Sequence, residues 1–419
     1  IFHHGHINII KEASKLGKVT VGLLTDKAIA SYKRVPILSY EERKKIIENV
    51  KGVDSVISQE TLSYRENLVL IRPNYVVHGD DWKTGPQKNI RQEVIDTLQE
   101  WSGTLVEVPY TKNVSSTSIQ NKIKEFNSPQ RRTSMLKRLI ESKQVVRIIE
   151  AHNGLTGLMV EKTVINEKQF DGMWLSSLTH STSKGKPDIQ YIDITTICNT
   201  INEIFDVTTK PMIVDLDNGG KTEHFKFAVR TLERMGVSAV IIEDKVGNKR
   251  NSLFSNTSNQ KQDDKEAFAL KIREGKKAIQ TKEFMVIARI ESLILEKGVP
   301  DAIERAKTYI EYGADGIMIH SKAKDTSEIV SFCNQFKEFG EGIPLIVVPT
   351  SYNHLFEKQL SELGANVVIY ANHLLRSAYP AMKKVMTKIL TNERSLECDE
   401  ECLPIKQIIR LIPTEPSIE

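Results

Sequence analysis

The chain has 419 residues, 27% of them charged and 40% hydrophobic, with a formal net charge of +4 at neutral pH. That length exceeds one ordinary domain and accommodates two, and the composition is that of ordinary globular proteins. The charge is spread along the chain, which argues against a nucleic-acid partner, and no apolar run reaches the roughly eighteen residues needed to span a bilayer.

The N-terminus lacks the basic-then-apolar layout of a signal peptide, so a cytoplasmic location without membrane contact is expected. Cys198, Cys333, Cys398 and Cys402 are scattered, with no second Cys/His pair to complete a zinc site, and are read as reduced structural or incidental thiols.

The chain opens IFHHGHINII, already in mid-motif and without methionine, so its first strand is expected to lie upstream. A helix through INIIKEASKLG is followed by a strand VTVGLLT, a helix EERKKIIENV, a strand NYVVHGD, a helix QKNIRQEVIDTLQEW and a strand TLVEVPY. This alternation predicts a parallel sheet flanked by helices, a Rossmann-like arrangement over residues 1–126. The polar stretch EFNSPQRRTS, with Pro129 as a helix breaker, predicts a linker at 127–134.

From there eight apolar runs recur between helical segments: VVRIIEAHN, FDGMWLSS, PMIVDLDN, SAVIIEDK, FMVIARIES, DGIMIHSK, PLIVVPT and NVVIYANH. Eight is the strand count of a (β/α)8 barrel of TIM type, expected over 135–395 with a tail at 396–419. Most runs end in groups that bind or react, such as Glu150, Trp174, Ser176, Asp215, Asp217, Glu243, Arg289 and His320. In a barrel these carboxyl ends share one mouth. The polar connection SLFSNTSNQKQDDKEAF after the fourth run is either a lid over that mouth or a plain solvated loop.

Asp215 and Asp217 are two apart on a predicted strand and should share a face, with Glu243 ending the next strand. Three such acids suit Mg2+, which takes one or two carboxylates directly and keeps waters, so Asp215 is expected as the direct ligand and Asp217 and Glu243 as holders of metal-bound water. The competing reading is a salt-bridge network with Lys245, Lys249 and Arg289. Arg289, His320, Lys249, Asn251 and Ser252 would serve an anionic substrate, a small phosphorylated carboxylic acid.

These residues resemble the phosphoenolpyruvate mutase family of the isocitrate lyase superfamily. EDKVGNKRNS at Glu243–Ser252 resembles its EDK-x5-NS signature, and EAHNGL, WLSSL, KGKPD, DLD, ARIES and IHSK follow in order. The resemblance implies conversion of phosphoenolpyruvate to phosphonopyruvate on Mg2+, with Asp188 beside the travelling phosphoryl group. It further implies Trp174 at the substrate, the backbone of Ser176, Ser177 and Leu178 around oxyanions, and Lys249, Asn251, Ser252, Arg289 and His320 on phosphoryl and carboxylate oxygens. Gly247 and Asn248 stand where many relatives have an aromatic residue and a proline, and Asn218 where threonine is common. The catalytic-cysteine motif of the related lyases is absent, and phosphonopyruvate hydrolase is the nearer competitor. Family barrels pair through a terminal helix, which implies a homo-oligomer, and a phosphonopyruvate decarboxylase is the implied functional partner.

HHGH at His3–His6 contains H-x-G-H, in which a glycine lets two imidazoles approach one anion at a helix start. With SYKRVPILSYEER, GDDW and YTKNVSSTSI downstream, residues 1–126 resemble the glycerol-3-phosphate cytidylyltransferase family. That resemblance implies CTP as substrate, with His3, His6, Lys33 or Arg34, and Arg43 on its phosphates, Asp80 and Trp82 near the nucleotide, and Ser115, Ser116 and Thr117 donating to phosphates. Tyr110, Lys112 and Asn113 depart from that family's closing motif. The combined expectation is a phosphoenolpyruvate mutase fused to a nucleotidyltransferase that activates a phosphonate such as 2-aminoethylphosphonate. The alternatives are a hydrolase barrel, or an N-terminal domain that binds nucleotide without turnover.

Overall fold

The computed structural model describes the chain outside residues 1, 3, 33–34, 37, 84–87, 110–128, 248–259 and 413–419, and for 81, 129 and 130 the backbone alone. In the N-terminal part, strands β1 (Thr20–Leu24) and β2 (Ser55–Gln59) form one parallel pair, and β3 (Tyr75–Gly79) and β4 (Thr104–Val108) another. The sequence predicts a single sheet. The pairs remain separate because neither β1 nor β3 has a second ladder partner among the described residues. Two-stranded pairs are marginal by themselves, so packed helices carry them. Helices Arg65–Ile71 and Lys88–Gln99 close a small core of Leu68, Trp82, Val94 and Leu98.

The second part is a closed eight-stranded barrel of parallel strands: β5 (Val146–Glu150), β6 (Gly172–Leu175), β7 (Met212–Asp215), β8 (Ala239–Glu243), β9 (Met285–Ile290), β10 (Gly316–Ile319), β11 (Leu345–Val347) and β12 (Ala365–Tyr370). The eight apolar runs read from the sequence are these strands. Their Val/Ile-rich, nearly uninterrupted character follows from burial on both faces, by side chains inside the barrel and by helices outside it. One apolar cluster fills the layer between strands and helices, and a second fills the barrel interior.

The amino-terminal end of the barrel is plugged by helix Pro129–Ser142, whose Met135, Leu136 and Leu139 join the interior cluster. Pro129 therefore opens a helix where the sequence suggests a break, a position that tolerates the missing backbone N–H. Arg132 Nη2 donates to Thr208 O at 3.1 Å and the Arg132 carbonyl accepts from Ser238 Oγ at 2.8 Å; Thr208 lies four residues before β7 and Ser238 immediately before β8. Ala30 and Val35 from the N-terminal part pack on the same plug. Asp26 joins the two parts as well, holding Arg43 at 2.8 Å and Arg138 of the plug helix at 2.9 Å. The N-terminal part thus docks on the end of the barrel opposite the strands' carboxyl ends.

No helix among the described residues is long and apolar enough to cross a membrane. Because Leu136 is fully buried where the plug meets the strands, Leu136→Ala is expected to lower unfolding free energy by about 2–5 kcal/mol, read from urea denaturation followed by circular dichroism.

Candidate functional site

At the carboxyl ends of the strands lies a cavity of about 640 Å3, including its open mouth. Its wall includes Trp174, Ser176, Ser177, Leu178, Asp188 and Asp215 on one side and Glu243, Arg289 and His320 on another, closed by Thr350, Ser351 and Asn372. The parallel barrel brings them together, because each strand delivers its last side chains to the same end.

The electrostatic centre is Glu291, which the sequence places at a strand end in the ARIES run and to which it assigns no role. Its Oε1 accepts from Arg289 Nε at 2.6 Å and lies 2.9 Å from His320 Nε2, and its Oε2 meets Lys245 Nζ at 3.1 Å. Burial would raise its pKa, but Arg289, His320 and Lys245 overcome that and hold the carboxyl well below the usual range. Burial works against the Arg289 charge, and Glu291, Glu243 and Asp215 more than offset it, so the guanidinium stays protonated. Burial and then Arg289 lower the His320 pKa, favouring the neutral ring. The signal for Glu291 was its spacing: it lies two residues beyond Arg289, as does Lys245 beyond Glu243.

Asp215 ends β7 with its Oδ2 accepting from Ser177 N at 3.3 Å and Ser177 Oγ at 3.0 Å. The Ser177 backbone N–H, expected to face substrate oxyanions, is thus turned toward the acid, as is its hydroxyl. Asp217 corrects the sequence reading. The strand stops at Asp215, and Asp217 sits beyond it with φ 54°, so the two acids do not share a strand face. Asp217 lines an adjoining pocket of about 300 Å3 with Asp215, Ser177 and His180, not the main cavity. There burial pushes His180 down to about 4, leaving a neutral ring bonded to Thr200 Oγ1 at 2.9 Å.

Glu243 faces the cavity but is engaged by Lys245 and by Arg289, each at 3.3 Å, so the salt-bridge network weighed against a metal site is present around it. Among the described residues no three His, Cys, Asp or Glu side chains gather tightly enough to enclose a metal ion. That excludes a closed all-protein cage among the described residues, and the Asp215 and Glu243 carboxylates on the cavity wall are the chemistry of a hard-cation site that keeps bound water. Lys249, Asn251 and Ser252, and the expected lid up to residue 259, lie outside the described residues.

In the N-terminal part, His3, Lys33, Arg34, Ser115, Ser116 and Thr117 also lie outside the described residues. His6 is on helix His4–Ala13 with its ring stacked on Phe2, and Asp80 opens the short turn after β3. Arg43 is held by Asp26. Trp82, expected beside the nucleotide, is instead 1% exposed. Its indole N–H donates to Glu107 at 2.9 Å and its ring stacks on His78 at 3.8 Å, because a buried indole requires both an apolar bed and a partner for its N–H. Arg91 grips the same carboxylate with two hydrogen bonds and, as the main cause, holds it down to about 2.

Residues 136–390 match the family model of phosphoenolpyruvate phosphomutase, and residues 1–122 match that of the cytidylyltransferase-like family. A phosphoenolpyruvate phosphomutase of Tetrahymena pyriformis is 34% identical over 70% of this chain and 95% of its own length. The crystal structure of a phosphoenolpyruvate phosphomutase from Streptomyces platensis subsp. rosaceus superposes with a TM-score of 0.62 at 31% identity, covering 67% of this chain and 94% of that one. A phosphonopyruvate hydrolase in complex with oxalate and Mg2+ superposes with a TM-score of 0.60 at 30% identity, over 67% of this chain and 94% of its own. With a barrel whose mouth carries these acids and cations, and with a family match over more than half its length, the chain belongs to the phosphoenolpyruvate mutase family and carries a cytidylyltransferase-like domain before the barrel.

Proposed function

We propose that the barrel interconverts phosphoenolpyruvate and phosphonopyruvate, the step that creates a carbon–phosphorus bond in phosphonate biosynthesis. The observation that carries this reading is the single cavity in which Asp188, Asp215, Arg289 and His320 meet. In the reaction the P–O bond of phosphoenolpyruvate breaks, its electrons stay on the enolate oxygen, and C3 of that enolate then bonds to phosphorus. No proton or electron is gained or lost overall.

The chain's own groups supply position and charge compensation, which loose phosphoryl transfer needs more than covalent help. Arg289, fixed at its Nε by Glu291, directs its remaining donors to phosphoryl or carboxylate oxygens. His320, neutral, adds a donor or acceptor at the same wall. Asp188 faces the phosphoryl group in transit, and Trp174 with the Ser176–Leu178 turn bounds the pyruvate fragment and limits water. Mg2+ bound directly by Asp215, with Asp217 and Glu243 on its waters, would supply charge neutralisation at the enolate and carboxylate oxygens, and the related hydrolase was solved with Mg2+ and oxalate. Lys249, Asn251 and Ser252 complete the anion-binding set in this reading.

The N-terminal domain is assigned CTP-dependent activation of a phosphonate such as 2-aminoethylphosphonate, on the strength of its family match and its place beside a barrel of this kind. His3, His6, Lys33, Arg43, Asp80 and Ser115–Thr117 would hold the nucleotide, with Trp82 supporting from the core. A phosphonopyruvate decarboxylase would consume the barrel's product. Pairing of two copies is supported by helix His373–Asn392, which buries no residue and presents Tyr379, Met382, Met386 and Leu390, all more than half exposed. The same surface argues against a monomer, since contiguous apolar patches of this kind mark interfaces.

Incubated with Mg2+, phosphonopyruvate should lose its C–P phosphorus resonance to that of phosphoenolpyruvate. Inorganic phosphate and pyruvate as the main products would assign hydrolysis instead. Arg289→Lys, which keeps the charge and loses the fork, is expected to cut kcat/KM by about 100-fold. For the N-terminal domain, calorimetry should detect CTP binding and a coupled assay should detect pyrophosphate release in the presence of a phosphonate acceptor; binding without release would make it a nucleotide-sensing module. Light scattering should report a dimer or larger, and Met386→Lys with Leu390→Lys should shift it toward monomer.

A further inference from the structure

Glu243 lines the cavity and Lys245 pairs with it and with Glu291, whereas Asp244 between them is fully buried and turned to other partners. Its carboxylate is saturated. Oδ1 accepts from Glu291 N at 2.8 Å, and Oδ2 accepts from Tyr309 Oη at 2.8 Å, Gln262 Nε2 at 3.0 Å and Arg305 Nη1 at 3.1 Å. Its backbone is engaged as well, with Asp244 N donating to Arg289 O at 3.1 Å and Asp244 O accepting from Asp263 N at 2.8 Å.

Those bonds reach three separate pieces of chain. Asp244 grips the end of β9 at two points, Arg289 O and Glu291 N, on either side of Ile290. It holds the return arm of the ribbon in which Lys245–Val246 pairs antiparallel with Lys261–Gln262. It also locks both to helix Gly298–Glu311, where Arg305 bonds Asp263 O at 3.0 Å and Tyr309 Oη at 2.9 Å. Ser292 closes the cluster, accepting from Gln262 at 2.9 Å and donating to Asp301 at 2.6 Å.

We propose that Asp244, Gln262, Arg305 and Tyr309 form a positioning cluster that sets the backbone of Arg289 and Glu291 and thereby aims the cations of the cavity. None of the four lines the cavity. Their effect is exerted through the strand end, because a two-point grip around one residue fixes both the height and the rotation of the side chains that flank it. A displacement of about 1 Å at such groups is enough to cost on the order of 100-fold in rate. The cluster rests on the reading of the cavity as a phosphoryl-transfer site, but its grip on β9 does not.

Tyr309→Phe removes one donor to Asp244 at nearly constant volume, and Asp244→Asn weakens all of its contacts. Both are measured as full-length protein at a temperature well below their melting transitions. With phosphonopyruvate and Mg2+, Tyr309→Phe is expected to lower kcat about tenfold, with KM changed less than twofold, and Asp244→Asn to lower it further. Hydrogen exchange should be faster in peptides covering Arg289–Ser292 and Gln260–Asp263. If Asp244→Asn does not fold, Tyr309→Phe decides alone. Wild-type kcat, KM and exchange in the folded Tyr309→Phe variant would overturn the proposal. A wild-type enzyme that turns over no phosphonopyruvate would defeat the functional reading instead, and the exchange measurements would still test the grip.

Discussion

The cavity depends on one fully buried carboxylate that faces three cationic or imidazole groups. Glu291 orients Arg289 and His320 and neutralises part of the charge of Lys245. Without it, a buried guanidinium and a buried ammonium would repel each other in surroundings where charge is costly to hold. With it, Arg289 keeps its proton against burial, while burial and Arg289 together favour the neutral ring of His320, and the same wall can present fixed donors to an anion without reorganising first.

The barrel makes that arrangement affordable. Its strands are buried on both faces, and its far end is stoppered by helix Pro129–Ser142, which leaves the other end open for the charged groups of the cavity. The N-terminal part docks on the stoppered end through Ala30, Val35 and the Asp26–Arg138 ion pair. The cytidylyltransferase-like domain therefore sits at the end of the barrel opposite the cavity.

The relatives include both mutases and a hydrolase at nearly equal identity, so identity alone does not separate the two activities. The proposed mutase reaction and its hydrolytic competitor differ in whether carbon or water reaches phosphorus.

The eight strands, the α/β order and most of the cavity residues were legible in the sequence, because continuous Val/Ile runs ending in polar groups leave few other folds. Asp215, Glu243, Arg289 and His320 could be named from that pattern together with the EDK and ARIES motifs. Tertiary structure alone decided the rest. Asp217 left the strand face because β7 ended two residues early and the backbone turned to positive φ. Trp82 went inward because Leu68, Val94 and Leu98 bed its ring and the Glu107 carboxylate takes its N–H. Glu291 and Asp244 acquired their importance only when strands distant in sequence came side by side, since periodicity records which face a residue takes and carries no information about which partners await it there.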